Sequence, residues 1–63
     1  MQPSELEAIR DRLGLRQEDL ANLIGMSRNT ISRMEKGRMS IERRTAWAVL
    51  YLSEHPELIT QSD

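Results

Sequence analysis

The 63-residue chain contains no cysteine and a single histidine, His55. Disulfides are therefore excluded, as is any metal site built on sulfur or on several histidines. A cysteine-free chain fits a reducing cytosol. No apolar run approaches the roughly 18–20 residues that span a bilayer. The segment Met1-Gln2-Pro3-Ser4-Glu5 has neither the basic start nor the apolar stretch of a signal peptide. A soluble, unexported, cytoplasmic protein without membrane contact is expected. Aromatic residues make up only 3% of the chain, and a chain this short buries only about 60% of the surface its unfolded form exposes. Its core is marginal. Domains below about 70–80 residues usually need a staple, and with disulfides and metal removed the remaining support is self-association or a partner.

Neither sign of charge dominates: nine Lys and Arg against ten Asp and Glu give a net charge of −1. That balance by itself argues against a nucleic-acid binder. The distribution argues the other way. Residues 26–44 carry Arg28, Arg33, Lys36, Arg38, Arg43 and Arg44 against Glu35 and Glu42, a net of +4. The segments before and after it are negative, −2 over residues 1–25 and −3 over 45–63. Charge alone does not separate a solvated basic face from a phosphate-binding surface.

What the chain does have is helical periodicity. Leu6, Ile9 and Leu13 recur at helical spacing and predict a helix over about 3–13. Pro3 suits its first position, although Ser4 and Glu7 offer an alternative capping box. Gly14 stops it, and Leu15 returns to the core. A second helix is expected over about 17–24, with Glu18 and Asp19 in its first turn and Leu20, Ala21, Leu23 and Ile24 facing inward. Gly25 ends it, Met26 returns inward, and Ser27 caps a third helix over about 28–36 with Ile31 and Met34 inside. Ser40 then caps a fourth helix over about 41–53, apolar at Ile41, Ala48, Val49 and Leu52. His55-Pro56 interrupts it, a short turn follows over 56–60, and residues 60–63 fray. No segment alternates with period two, and there is no repeat or linker. The expectation is one all-α domain over residues 1–63, a compact bundle of four to five helices.

Residues 17–36 carry the most information. Two helices joined steeply by a short turn need a small residue where they cross, a glycine at the turn and apolar positions that fuse both to one core. Ala21, Gly25 and the set Leu20, Ile24, Met26, Ile31 and Met34 supply all three. Leu13-Gly14-Leu15, Gln17, Leu20-Ala21, Gly25-Met26-Ser27 and Ile31-Ser32-Arg33-Met34-Glu35-Lys36-Gly37 together resemble the helix-turn-helix domain of the phage repressor and Cro class, the lambda repressor-like family. The resemblance is close over residues 5–37 and extends to about residue 52. It implies a four- or five-helix DNA-binding domain of a homodimeric transcription regulator. The chain departs from the family after Gly37, with Ile41 where a proline is common and a last helix bearing Trp47 and Tyr51.

The residues of the third helix fit that implication. Ile31 and Met34 point inward, while Arg28, Asn29, Ser32, Arg33 and Lys36 share the other face, which has no apolar member. Arginine pairs bidentately with guanine O6 and N7, and asparagine with adenine N6 and N7. Arg28, Asn29, Ser32 and Arg33 are thus the base-contacting candidates, the first, second and sixth helix positions being those the family uses. Gln17 resembles the glutamine that docks the family's second helix on a phosphate, where helix-terminal amides also favour anions. Thr30, Lys36, Arg38 and Arg43 complete the phosphate-contacting set, with Arg16 and Arg44 as secondary candidates. The alternative for each is ordinary solvation of a basic surface. The resemblance also pairs Arg10 with Glu35 as a structural ion pair between the first and third helices.

The other residues offer no chemistry. His55 has no nearby metal partners and suits a helix C-terminus. The carboxylates form no paired-acid or nucleophile arrangement, so neither catalysis, metal, cofactor nor small-molecule ligand is expected. Trp47, Leu50 and Tyr51, with Leu58, add an apolar surface to the fourth helix beyond its inward stripe. They are the expected homodimer interface, unless Trp47 caps a thin core sealed by Leu58 and Ile59. The leading reading is a homodimeric repressor of a small phage, plasmid or bacterial operon, with autorepression as one form of it, acting on a double-stranded inverted-repeat operator. The competing reading is an antitoxin or adaptor whose main partner is a protein and whose DNA binding is secondary.

Overall fold

Four helices follow one another along the chain: α1 (Pro3–Arg12), α2 (Gln17–Ile24), α3 (Arg28–Glu35) and α4 (Arg43–Glu54). A single 3-10 turn, Pro56–Leu58, closes the sequence of elements. The structure is a computed structural model that describes residues 1–59. The expected fraying beyond that point lies outside the described residues. No strand occurs among them, and the chain is all-α.

Local chemistry sets the helix ends. Pro3 occupies the first position of α1, and the backbone N–H of Gln2 before it donates to Glu5 Oε1 at 3.3 Å. The cap is therefore at Gln2 and not at Ser4. The Arg16 N–H donates to Asp19 Oδ2 at 3.0 Å in the same way at the start of α2. Ser27 caps α3 with its Oγ, which accepts the Thr30 N–H at 3.2 Å. Between α2 and α3, Gly25 adopts φ +73, and the Met26 N–H reaches back to the Ala21 carbonyl at 2.8 Å. That left-handed residue with its long return bond reverses the chain over three residues, Gly25 to Ser27.

Helix α4 begins two residues later than the sequence suggests. Its N-cap is Glu42, and Ser40 and Ile41 belong to the preceding loop. Ile41 is half-buried against the core from outside the helix. It stands just before the cap, with buried Ala46 four positions inside, the spacing of a hydrophobic staple. The buried face is also turned slightly from the expected one. Thr45, Ala46, Val49 and Leu52 are buried, while Ala48 is only half-buried.

The core consists of Leu6 and Ile9 of α1, Leu20 and Ala21 of α2, Ile31 and Met34 of α3, and Val49 and Leu52 of α4. Leu13, Leu15, Ile24 and Met26 pack around it. Leu23, expected inward, is exposed. At 3.6 residues per turn it stands roughly 110° around α2 from the centre of the stripe formed by Leu20, Ala21 and Ile24. Helices α2 and α3 thus rest on α1 and α4, with the outer side of α3 open to solvent.

Candidate nucleic-acid interface

The only acidic residue of α3, Glu35, lies at its last position. Its side chain is 5% exposed and grips Arg10 of α1, whose side chain is 13% exposed. Arg10 Nε donates to Glu35 Oε2 at 2.7 Å and Arg10 Nη2 to Oε1 at 3.0 Å, a bidentate fork. A third donor of the same guanidinium, Nη1, reaches the Leu15 carbonyl at 3.0 Å in the loop between α1 and α2. One arginine therefore ties together α1, the loop after it and α3.

Burial pushes the Glu35 carboxyl up, but the hydrogen bonds from Arg10 and Gln17 and the Arg10 charge more than offset that, leaving its pKa below the ordinary glutamate value. The same hydrogen bond raises the Arg10 pKa. Both groups are charged at neutral pH. The pair neutralises the one negative charge of α3 on the side that faces the core.

The opposite side of α3 is correspondingly positive. Asn29, Arg33 and Lys36 are exposed, and Ser32 is half-buried beside them. Arg28, expected on this face, is exposed too but stands seven residues from Glu35 and so on its flank of the helix, beside the Gln17 end of α2. Thr30 is half-buried and its hydroxyl lies 2.9 Å from Ser27 Oγ, so it serves the helix cap in the free protein. Beyond the helix, Arg38 and Arg43 are exposed.

Gln17 is half-buried at the first position of α2, and its Nε2 donates to Glu35 Oε1 at 3.0 Å. Its side chain is thus held by the buried pair, a bond across 18 residues that no local spacing announces. The backbone amides at this end of α2 are the ones a helix leaves without intrahelical acceptors. Arg16 and Arg28 flank the same hollow together with Glu18, and the Arg16 guanidinium is held by Asp19 at 3.1 Å.

Further round the molecule, Trp47 is 65% and Tyr51 56% exposed, and Leu50 and Leu58 are exposed as well. Trp47 therefore does not cap the core beneath Leu58 and Ile59. Among the described residues no group of histidine or carboxylate side chains is placed to hold a metal ion, and no helix is long and apolar enough to cross a membrane.

A short helix, a glycine turn and a second helix with a basic polar outer face define a DNA-binding helix-turn-helix domain. A family model described as helix-turn-helix matches residues 6–50. The chain belongs to that family, the lambda repressor-like helix-turn-helix domains, and with it to the DNA-binding transcription regulators. No curated protein matches the chain, and no solved structure does.

Proposed function

We propose that the protein is a cytoplasmic, sequence-specific repressor that binds an inverted-repeat operator as a homodimer. The observation that carries the reading is the separation of charge at α3, whose outer side and C-cap hold exposed Arg33 and Lys36, with Arg28 exposed at its start, while Glu35 is withdrawn into a buried pair. That face is built to enter the negative field of a major groove. Arg28, Asn29, Ser32 and Arg33 read base edges, and Gln17, Thr30, Lys36, Arg38 and Arg43 hold phosphates. In the bound state the Gln17 amide either keeps its bond to Glu35 and leaves phosphate binding to the backbone, or turns outward. Either way the start of α2 faces the sugar-phosphate backbone.

Binding to a duplex selected from a random pool and to a scrambled duplex, at one fixed salt concentration, separates the roles. Arg33→Ala and Asn29→Ala each weaken binding to the selected site by about 1–3 kcal/mol and leave the scrambled duplex nearly unchanged. Lys36→Ala weakens both equally and lowers the salt slope by about one. Four variants, with Gln17→Ala, that behave alike on both duplexes would refute the division of labour.

The second half of the reading, two-fold association through Trp47, Leu50, Tyr51 and Leu58, is supported by the exposure of two aromatic rings on one short helix. Such rings dominate interface energetics and are seldom left in water in this number by a chain so small. The competing occupant of that surface is an unrelated protein, as in an antitoxin or adaptor. A chain that sediments as a monomer at micromolar concentration, both free and on its selected duplex, would favour that competitor.

A further inference from the structure

Helix α4 carries its charges against its own dipole. Arg43 and Arg44 occupy its first turn, where the acidic N-cap Glu42 offsets only part of their charge, and Glu54 ends it, in a last turn with no basic residue. A helix N-terminus is partially positive and its C-terminus partially negative, so each charge sits at the end that repels it. Within the described chain nothing compensates Arg44 or Glu54 by an ion pair, since no salt bridge involves either. Between these ends runs a row of side chains spaced by four: Arg43, Trp47, Tyr51 and His55. The Arg43 guanidinium lies 6.0 Å from the centroid of the Trp47 ring, and the Tyr51 and His55 rings lie 4.4 Å apart. Each exposed ring thus has a neighbour along the row.

We infer that this face docks on the same face of a second copy in one antiparallel register, with Trp47 of each copy against Tyr51 of the other and Arg44 of each against Glu54 of the other. The inference rests on the homodimer reading above and adds the mode of pairing. Antiparallel packing sets each basic N-terminal end beside an acidic C-terminal end, which corrects both mismatches at once. A parallel pair would double them. The register follows from the spacing, because Arg44 and Trp47 are three residues apart, as are Tyr51 and Glu54. Sliding one helix by a turn breaks both the ring contacts and the ion pairs. Two-fold symmetry supplies each contact twice.

Sedimentation equilibrium of the full chain without DNA, at low and at moderate salt, tests the register. Arg44→Glu and Glu54→Arg each replace attraction by repulsion at two symmetric places and are expected to weaken self-association about tenfold or more. The double variant, with the charges exchanged, regains most of the loss. Mixing the two single variants also regains it, because each repels itself and attracts the other. Both reversals suit the dipole of α4, so circular dichroism of the variants is expected to match that of the unchanged chain. Arg44→Gln and Glu54→Gln, milder at the same positions, are expected to weaken association by a smaller factor in the same direction. A wild-type dimer indifferent to both reversals, or a double variant as weak as the singles, overturns the register while leaving the dimer standing. A wild-type monomer throughout overturns the dimer itself.

Discussion

Removing one member of the Arg10–Glu35 pair strands the other in a place with little water, and the penalty of that uncompensated charge exceeds the net worth of the pair. Arg10→Met and Glu35→Leu are each expected to cost about 3 kcal/mol or more, which in a domain of this size lowers the thermal midpoint by roughly 20 °C or more. The double variant, with two apolar side chains in the same space, is expected to recover much of the loss. Thermal unfolding of the four proteins decides this, and additive losses would mean the contact carries no coupling. The carboxyl also predicts a pH dependence. Its folded pKa lies below the unfolded value, so its contribution is fully present above about pH 4.3 and is lost as pH falls through the folded value. Asp19, lowered by hydrogen bonds from Arg16, acts in the same direction, but solvent screens it at the surface. Stability measured between pH 7 and 3 is expected to fall less steeply for Glu35→Gln than for the unchanged chain. Equal slopes would show that Glu35 is not held in its charged form.

At the scale of the elements, the turn between α2 and α3 offers a measurement of backbone strain nearly free of packing. A Cβ built on Gly25 meets nothing within 4 Å, yet the residue sits at φ +73. The cost of Gly25→Ala is therefore the left-handed conformation alone, about 1 kcal/mol after allowing for the stiffer unfolded chain. Gly25→Asn, which tolerates that region better, is expected to fall between the two in chemical denaturation. An alanine variant as stable as the unchanged chain would mean that the turn relaxes. Ser27→Ala, which removes the cap of α3, is expected to cost a further ~1 kcal/mol. These elements were legible because each end carries its own signal: Pro3, Gly14, Gly25 and Ser27 all punctuate where the chain turns. The start of α4 was not legible by the same rule, because Ser40 resembles a cap and Ile41 a first inward residue. A longer-range regularity does mark it. In all four helices the residue just before the cap and the fourth helical residue are both apolar, Met1 with Leu6, Leu15 with Leu20, Met26 with Ile31 and Ile41 with Ala46. The Gln17–Glu35 bond and the exposure of Leu23 had no such marker. The first depends on how two helices cross, and the second on which narrow arc of an eight-residue helix the others cover.

Seen at the scale of the whole molecule, the chain is an asymmetric body of 34 × 19 × 19 Å with a basic segment between two acidic ones. A net charge of −1 keeps it from adhering to DNA in general, while the field of α3 draws it to a groove. One such body offers a single eight-residue α3, and the handful of base contacts a helix of that length can make would not by themselves give the affinity of a regulator at physiological salt. In the proposed dimer, two copies joined through α4 would carry two such helices, and their spacing would become a property of the protein. For recognition helices to enter successive major grooves on one face of the duplex, half-site centres must lie about 34 Å, or one helical turn, apart. Inserting about five base pairs between the half-sites of the selected operator turns the second half-site to the opposite face of the duplex. Binding is then expected to drop to that of an isolated half-site, while base substitutions in the spacer that keep its length have little effect. Gel-shift titration of the unchanged and lengthened operators at one salt concentration measures it. A lengthened operator bound as tightly as the original would mean that each copy reads its half-site alone, and that the aromatic face of α4 serves some purpose other than setting the spacing.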